Sequence, residues 1–324
     1  MREITYLAAL TEAMGEEMER DESVLLLGQG VQSGGSYKTA VGLLERFGAE
    51  RIRDVPIAED SVVGCAVGAA LMGMKPIVEI LYCDFTLRAM DQIANQAAKI
   101  RYMTGGQMNV PLVIRTTCGF GSSRGAHHSQ SLEATFSHFP GLKIALPSSP
   151  ADAKGLLKSA VRDPDPVLFI DHFLLFPTKG PMPEGEFTVP LGKAEIRREG
   201  TDVTLVAFSI MVLESLRAAQ QLARDGIEVE IVDPRTLVPL DIPAIVRSVQ
   251  KTNRLIVVEA GCKRGGAGAE IIQSVLEEAF DYLDSPPVRL AVPDTSIPFA
   301  AGMEEFVIPN QAAIVREIQE MVKS

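Results

Sequence analysis

Glu59 ends the run Pro56-Ile57-Ala58-Glu59 and stands just ahead of Gly64-Cys65-Ala66-Val67-Gly68-Ala69-Ala70. An acid at the start of a helix made almost wholly of small side chains presents its carboxyl where another backbone or a flat ligand can come very close. A glutamate on an arbitrary strand-to-helix loop is a surface acid, but its neighbours here argue otherwise. Gly64 and Gly68 fall four apart on one helical face, and glycine in a helix costs about 1 kcal/mol relative to alanine. That cost implies close packing against something, and Glu59 is the first candidate for chemistry.

Three further segments carry residue types suited to a site. Asp84-Phe85-Thr86-Leu87-Arg88-Ala89-Met90-Asp91-Gln92 opens a helix with an aromatic in its first turn, although Phe85 taken alone reads as core before it reads as a ligand platform. The loop from Gly119 to Ser131 holds glycines, several hydroxyls and the adjacent pair His127-His128 just after an expected strand, where α/β folds concentrate functional groups. Adjacent histidines in a strand point to opposite sides, so at most one faces a site, which argues against metal binding by both. In Ala160-Val161-Arg162-Asp163-Pro164-Asp165-Pro166, two carboxylates follow a helix C-terminus with its orphan carbonyls. Two readings stay open there, a cation site and an Asp-Pro turn with no ion. Gly265-Gly266-Ala267-Gly268-Ala269 looks superficially like a phosphate-binding turn but lacks the full glycine spacing, and reads as a tight turn for strand-helix packing.

The elements that must position these residues alternate between short apolar, β-branched runs and helical patterns, which predicts parallel α/β architecture. Strands are expected at Val24-Leu27, Pro76-Leu81, Val110-Arg115, Leu142-Leu146 and Val167-Asp171, with helical spacing over 5–19, 39–47, 61–73, 85–102 and 151–161. Asp60 and Asp84 stand where N-caps belong. From Leu175 to Gly200 the text turns rich in Pro and Gly and reads as a linker. A second α/β set follows, with strands Val203-Phe208, Ile227-Asp233, Arg254-Glu259 and Val288-Ala291, and helices near 210–224, 241–250, 266–280 and 310–323.

A chain of 324 residues divides more naturally into two domains than one, and 46% hydrophobic with 23% charged residues is ordinary globular material. No run approaches the ~20 apolar residues of a membrane helix, and the first residues lead straight into a helical pattern, so a cytoplasmic protein without membrane contact is expected. Cys65, Cys83, Cys118 and Cys262 form no Cys-x-x-Cys pair and read as reduced, buried thiols. A net charge of −11 argues against a nucleic-acid partner and suits a basic protein partner.

Pro56-Ile57-Ala58-Glu59, Ala66-Val67-Gly68-Ala69-Ala70, Ala89-Met90-Asp91-Gln92-Ile93, His128-Ser129-Gln130-Ser131-Leu132-Glu133, Pro140-Gly141-Leu142-Lys143, Asp152-Ala153-Lys154-Gly155-Leu156-Leu157 and Pro234-Arg235-Thr236-Leu237 together resemble the beta subunit of thiamine-diphosphate-dependent 2-oxoacid dehydrogenases. The likeness runs in order along nearly the whole chain. Val78-Glu79-Ile80, Asp84-Phe85 and Thr178-Lys179-Gly180 look most like the acetoin dehydrogenase branch, with the pyruvate branch next.

The resemblance implies two transketolase-like α/β domains, each a mostly parallel sheet flanked by helices: a pyrimidine-binding domain over 1–180, a linker over 181–196 and a C-terminal domain over 197–324. It implies thiamine diphosphate shared with an alpha subunit in a heterotetramer of two alpha and two beta chains, and docking to a lipoyl acyltransferase core. Family alpha subunits hold magnesium and diphosphate through Gly-Asp-Gly and a distant Asn; no Gly-Asp-Gly occurs here, so the magnesium belongs to the partner chain. By the same likeness Glu59 hydrogen-bonds the pyrimidine nitrogen, Phe85 packs on the pyrimidine face and His128 faces substrate or the lipoyl group as a proton donor. Asp163 and Asp165, with carbonyls of Leu112, Ala160 and Val161, match a potassium position that braces the loop carrying His128.

One departure stands out. Many relatives have Gly-Glu-Asp-Val after the first strand, their Glu lying near the pyrimidine on an acidic path between two cofactors, whereas this chain has Gly28-Gln29-Gly30-Val31. Gln29 cannot ionise, which implies weakened communication between the two active sites. Two other readings compete with the dehydrogenase: a transketolase-like half-enzyme that moves two-carbon units without lipoamide, and a docking subunit whose cofactor site has decayed.

Overall fold

The computed structural model describes residues 2–323. The chain forms two compact units, one of residues up to Cys118 together with Phe136–Leu191, the other of Gly119–Thr135 together with residues from Gly192 onward.

In the first unit six strands run parallel in the order Lys143–Ala145, Val167–His172, Val113–Cys118, Lys75–Leu81, Val24–Gly28 and Ile52–Asp54. Val24–Gly28, Val113–Cys118 and Val167–His172 are buried along their whole length, as expected of parallel strands covered on both faces. The mostly parallel α/β class expected from the sequence is what the chain adopts. The helix Tyr6–Arg20 is capped by Thr5 Oγ1, which accepts the Ala8 N–H at 3.2 Å. Pro150–Arg162 is capped by Ser149 Oγ, which accepts the Asp152 N–H at 3.2 Å, with Pro150 in the first turn.

The middle of this sheet holds charge. Arg115, 1% exposed, donates to Glu79 on the neighbouring strand, and its Nε lies 2.7 Å from Asp171 Oδ2 on the other side. Tyr6 OH donates to Asp171 Oδ1 at 2.7 Å and Thr39 Oγ1 to Glu79 Oε2 at 2.9 Å. Burial works against the Arg115 charge, but Asp171 and Glu79 outweigh it and raise its pKa. Buried charges persist only when paired in this way. The network joins the strands at whose carboxyl ends Gln29, Phe85 and the loop after Cys118 emerge.

Several local expectations are corrected. The helix Glu59–Leu71 starts at Glu59 itself, with Ala58 at the N-cap, so Asp60 is the second helical residue and caps nothing. Asp84 lies inside a 3₁₀ turn, Cys83–Ala89, that begins after Tyr82. The single helix expected over 85–102 breaks into that turn, a π-helical stretch Gln92–Ala97 and the α-turn Ile100–Met103. Of 39–47 only Leu43–Phe47 is helical. The strand expected from Val110 starts at Val113, because the Val110 N–H is taken by Pro164 C=O and the Leu112 N–H turns back to Val110 C=O. The stretch expected as a linker contains two strands: Lys179–Met182, antiparallel to Arg2–Thr5, and Glu195–Arg198, antiparallel to Val229–Asp233. Cys83 and Cys118 are buried as expected, but Cys65 and Cys262 are exposed.

The second unit has a sheet in the order Val288–Val292, Leu255–Cys262, Val203–Ala207, Val229–Asp233 and Glu195–Arg198, parallel except for the last strand. Helices Ile210–Leu222, Ile242–Thr252, Ala267–Ala279, Ala301–Val307 and Gln311–Lys323 accompany it. Among the described residues no helix is long and apolar enough to cross a membrane.

Candidate cofactor site

Glu59 is 4% exposed, and its Oε2 accepts no hydrogen bond. The nearest cation is Arg88 on the 3₁₀ turn Cys83–Ala89, whose Nε lies 3.2 Å from Oε2 without being aligned to donate and whose side chain is 70% exposed. Leaving a buried carboxylate oxygen without a donor costs about 1–3 kcal/mol or more. An acceptor kept that way at a helix start fits a ligand that brings its own N–H.

Phe85 lies on the same 3₁₀ turn as Arg88, half-buried, its ring 6.2 Å from Tyr82 and tilted by 54°. That turn packs on the helix Glu59–Leu71, so the structure brings Glu59, Phe85 and Arg88 into one neighbourhood. Gln29 is half-buried in the turn at the carboxyl end of Val24–Gly28, next to Gly30, whose φ of 66° is left-handed. The two helix glycines differ. A Cβ on Gly64 would meet Gln92 Oε1 at 3.2 Å, whereas one on Gly68 would meet nothing within 4 Å, so close packing inside this chain accounts for Gly64 alone.

Leu112, Ala160, Val161, Asp163 and Asp165 gather in one corner of the first unit. Leu112 C=O accepts the Val167 N–H at 2.9 Å and Ala160 C=O the Asp163 N–H at 3.3 Å. Both carboxylates already have cations: Lys143 Nζ donates to Asp163 at 2.7 and 2.8 Å, and Arg101 Nη1 donates to Asp165 at 2.6 Å. What this corner offers an added ion is therefore backbone oxygen. Among the described residues no group of three or more His, Cys, Asp and Glu is arranged to hold a metal.

His128 belongs to the second unit, on the loop Gly119–Thr135, and sits in a turn, not a strand; it is half-buried and His127 is exposed. Three acids of this unit were not singled out from the sequence. Glu304 is 4% exposed and accepts the Gly121 N–H at 2.8 Å and the Ser123 N–H at 3.1 Å. Glu133, 3% exposed, has its pKa raised to about 7, chiefly by burial and further by the nearby Glu259. Glu259 is also raised by burial, opposed by Arg289, whose Nη2 donates to it at 2.9 Å. Glu133 stood within a quoted motif, but nothing in the linear text told its burial; Glu304 had no signal at all.

The glycine turn behaves as its sequence reading expects. A Cβ on Gly266 would fall 2.5 Å from Cys262 C=O, and the start of the helix Ala267–Ala279 is already filled by Glu259, which accepts the Gly268 N–H at 3.2 Å. An incoming phosphate would meet a carboxylate there. A cavity of about 470 Å³ lies beside this turn, lined by Ser129, Ser131, Thr135, Gly261, Cys262 and Arg264 among others.

Comparison with known proteins identifies both domains. Residues 2–177 match the pyrimidine-binding domain of transketolase and residues 192–314 its C-terminal domain. The chain is 44% identical, over 98% of its length and 70% of the relative's, to "Pyruvate dehydrogenase E1 component subunit beta" of Rhizobium meliloti (strain 1021). It is 46% identical, over 97% of its length and 85% of the relative's, to "Pyruvate dehydrogenase E1 component subunit beta-2, mitochondrial" of Oryza sativa subsp. japonica. It is 42% identical, over 100% of both chains, to "2-oxoisovalerate dehydrogenase subunit beta" of Bacillus subtilis (strain 168). Among solved structures, "Split gene transketolase, inactive beta4 tetramer" shares the fold, with a TM-score of 0.80 over 99% of each chain at 22% identity. With both transketolase domains matched in order and such identity held end to end, the chain belongs to the family of 2-oxoacid dehydrogenase beta subunits.

Proposed function

We propose that this chain is the beta subunit of a thiamine-diphosphate-dependent dehydrogenase component that decarboxylates a short 2-oxoacid, or cleaves acetoin, and passes the acyl group to lipoamide. The observation that carries this reading is Glu59: a buried carboxylate whose Oε2, 3.2 Å from Arg88 Nε, accepts no hydrogen bond among the described residues, beside a turn bearing an aromatic ring. Thiamine diphosphate, when bound, supplies a carbanion at its thiazolium carbon with its own aminopyrimidine as base. Glu59 Oε2 would accept a hydrogen bond from the protonated pyrimidine ring nitrogen and so favour the imino tautomer able to act as that base. Phe85 offers a flat apolar face, Gln29 a neutral polar group, and His128 a proton donor for transfer to the lipoyl sulfur.

The site is half a site. With no Gly-Asp-Gly in the sequence, magnesium and diphosphate fall to an alpha subunit, in a heterotetramer of two alpha and two beta chains. Gly68, open to solvent in the single chain, and Met72, 84% exposed at the end of the same helix, support a partner covering that face. The net charge of −11 suits docking to a basic domain of a lipoyl acyltransferase core. Residues 1–180 serve as the pyrimidine-binding half and 197–324 as the C-terminal half, joined through 181–196. A potassium ion in the corner of Leu112, Ala160 and Val161 would be held by backbone carbonyls, with the Asp163 and Asp165 carboxylates already engaged by Lys143 and Arg101.

The chain alone is expected to be inactive. Mixed with its alpha subunit, thiamine diphosphate and magnesium, it is expected to reduce an artificial electron acceptor with pyruvate, 2-oxoisovalerate or acetoin as donor. Turnover of a sugar phosphate in place of these would point to the transketolase-like alternative, and salt-sensitive binding to an acyltransferase without any thiamine-dependent turnover to a docking subunit.

A further inference from the structure

The helix Ala301–Val307 buries one side chain, and that side chain is a carboxylate: Glu304. Phe299, Met303 and Phe306, on and beside the same short helix, are 72%, 57% and 85% exposed. An apolar core therefore does not explain why the helix lies where it does. Glu304 instead reaches the loop Gly119–Thr135, where one carboxylate oxygen accepts the Gly121 N–H at 2.8 Å and the other the Ser123 N–H at 3.1 Å.

The loop backbone is shaped to make this contact. Gly119, Gly121, Ser123 and Gly125 all have positive φ, at 113°, 97°, 52° and 70°. Positive φ at alternate residues lets the Gly121 and Ser123 N–H groups face one carboxylate, a nest-like arrangement of the kind that binds anions. In this protein the anion is supplied from within the chain. Ser123 is the one non-glycine of the four, and a side chain in that conformation persists only where surrounding contacts hold it. Gly125, the last of the series, packs on Phe299, with its Cβ position 3.6 Å from the ring, and His128 follows with its N–H turned back to Gly125 C=O at 3.3 Å.

We propose that Glu304 is a positioning residue: its carboxylate clamps the amides of Gly121 and Ser123 and thereby fixes the loop that presents His128. The functional side of this inference rests on the role given to His128 above; the clamp itself rests on the two hydrogen bonds and the nest. A charge-assisted pair of N–H donors holds the loop start, and the turn that follows sets the imidazole.

The test uses the full chain and the assembled enzyme. Glu304→Gln keeps the shape of the side chain but points an amide NH₂ at one of two donors; Glu304→Ala removes both acceptors, and Glu304→Asp keeps two oxygens on a shorter arm. Amide hydrogen exchange across residues 121–131 is expected to rise at least tenfold in the Gln and Ala variants, with the strands Val203–Ala207 and Leu255–Cys262 unchanged, and to recover in part in the Asp variant. With the alpha subunit present, kcat for acyl transfer to a lipoyl acceptor is expected to fall about tenfold while KM for the 2-oxoacid stays within twofold. The double variant with His128→Ala is expected to be no slower than His128→Ala alone. Unchanged exchange over 121–131 in both the Gln and Ala variants, or losses that multiply in the double variant, would overturn the proposal. If His128→Ala itself transfers acyl groups at the full rate, the role of His128 falls instead, and the exchange rates alone then decide on the clamp.

Discussion

Among the buried acids of this chain, three kinds of environment give three kinds of behaviour. Glu79 and Asp171 share the Arg115 guanidinium and act as structure. Glu59 keeps an oxygen without a donor and is suited to a ligand. Glu133 is buried beside another carboxylate and is pushed up to about 7 from 4.5. The last has a consequence for stability. A carboxyl whose folded pKa lies above its unfolded value binds its proton more tightly when folded, so its stabilising contribution is complete below pH 4.5 and is lost as pH rises through about 7. A shift of this size corresponds to a loss of up to roughly 3 kcal/mol across that window. Urea unfolding at pH 5 and pH 8 is expected to show the chain less stable at pH 8, and Glu133→Gln to flatten that difference; an unchanged pH dependence in the variant would mean that Glu133 does not carry it.

At the scale of elements, the helix Glu59–Leu71 separates what packing inside the chain explains from what it leaves open. Gly64 meets Gln92, but Gly68 has open space where its Cβ would be. Alanine is better than glycine in a helix by about 1 kcal/mol. Gly68→Ala is therefore expected to raise the thermal stability of the isolated chain slightly while weakening assembly with the alpha subunit, measured by sedimentation of the mixture. Stabilised chain with unimpaired assembly would show that the glycine serves no close approach. The long helices and central strands were legible in the sequence because continuous apolar runs and 3.6-residue periodicity survive without tertiary information, whereas the short helices Glu133–Ser137 and Ala301–Val307 were not. The 85–102 segment was not: its spacing is helical, but the chain bends through 3₁₀ and π turns that place Phe85 and Arg88 beside Glu59. The edge strands Arg2–Thr5 and Lys179–Met182 were missed because each is four residues long and defined only by the other. Glu59, Phe85 and His128 are singled out through motif and likeness, whereas Glu304 is invisible because its partners are backbone amides some 180 residues away.

Across the whole molecule, the proposed chemistry is divided between chains as well as within one. This chain brings a carboxylate, an aromatic ring and an imidazole, and lacks the diphosphate motif. The resemblance to the family sets Gln29 and Gly30 where acids are expected, so the proposed path between two active sites loses charge at this point. Pre-steady-state cofactor activation in the assembled enzyme is expected to show both sites reacting at equal rates; strongly alternating sites would contradict this. The central claim remains the role of Glu59, and the measurement that reaches it most directly is the Glu59→Gln variant assembled with the alpha subunit at saturating thiamine diphosphate and magnesium. The variant is expected to bind cofactor, shown by calorimetry, yet to lose at least 100-fold in 2-oxoacid-dependent reduction of an artificial acceptor, since a neutral amide stabilises the protonated ring nitrogen far less than a carboxylate does. Full activity in that variant with cofactor bound would contradict the account.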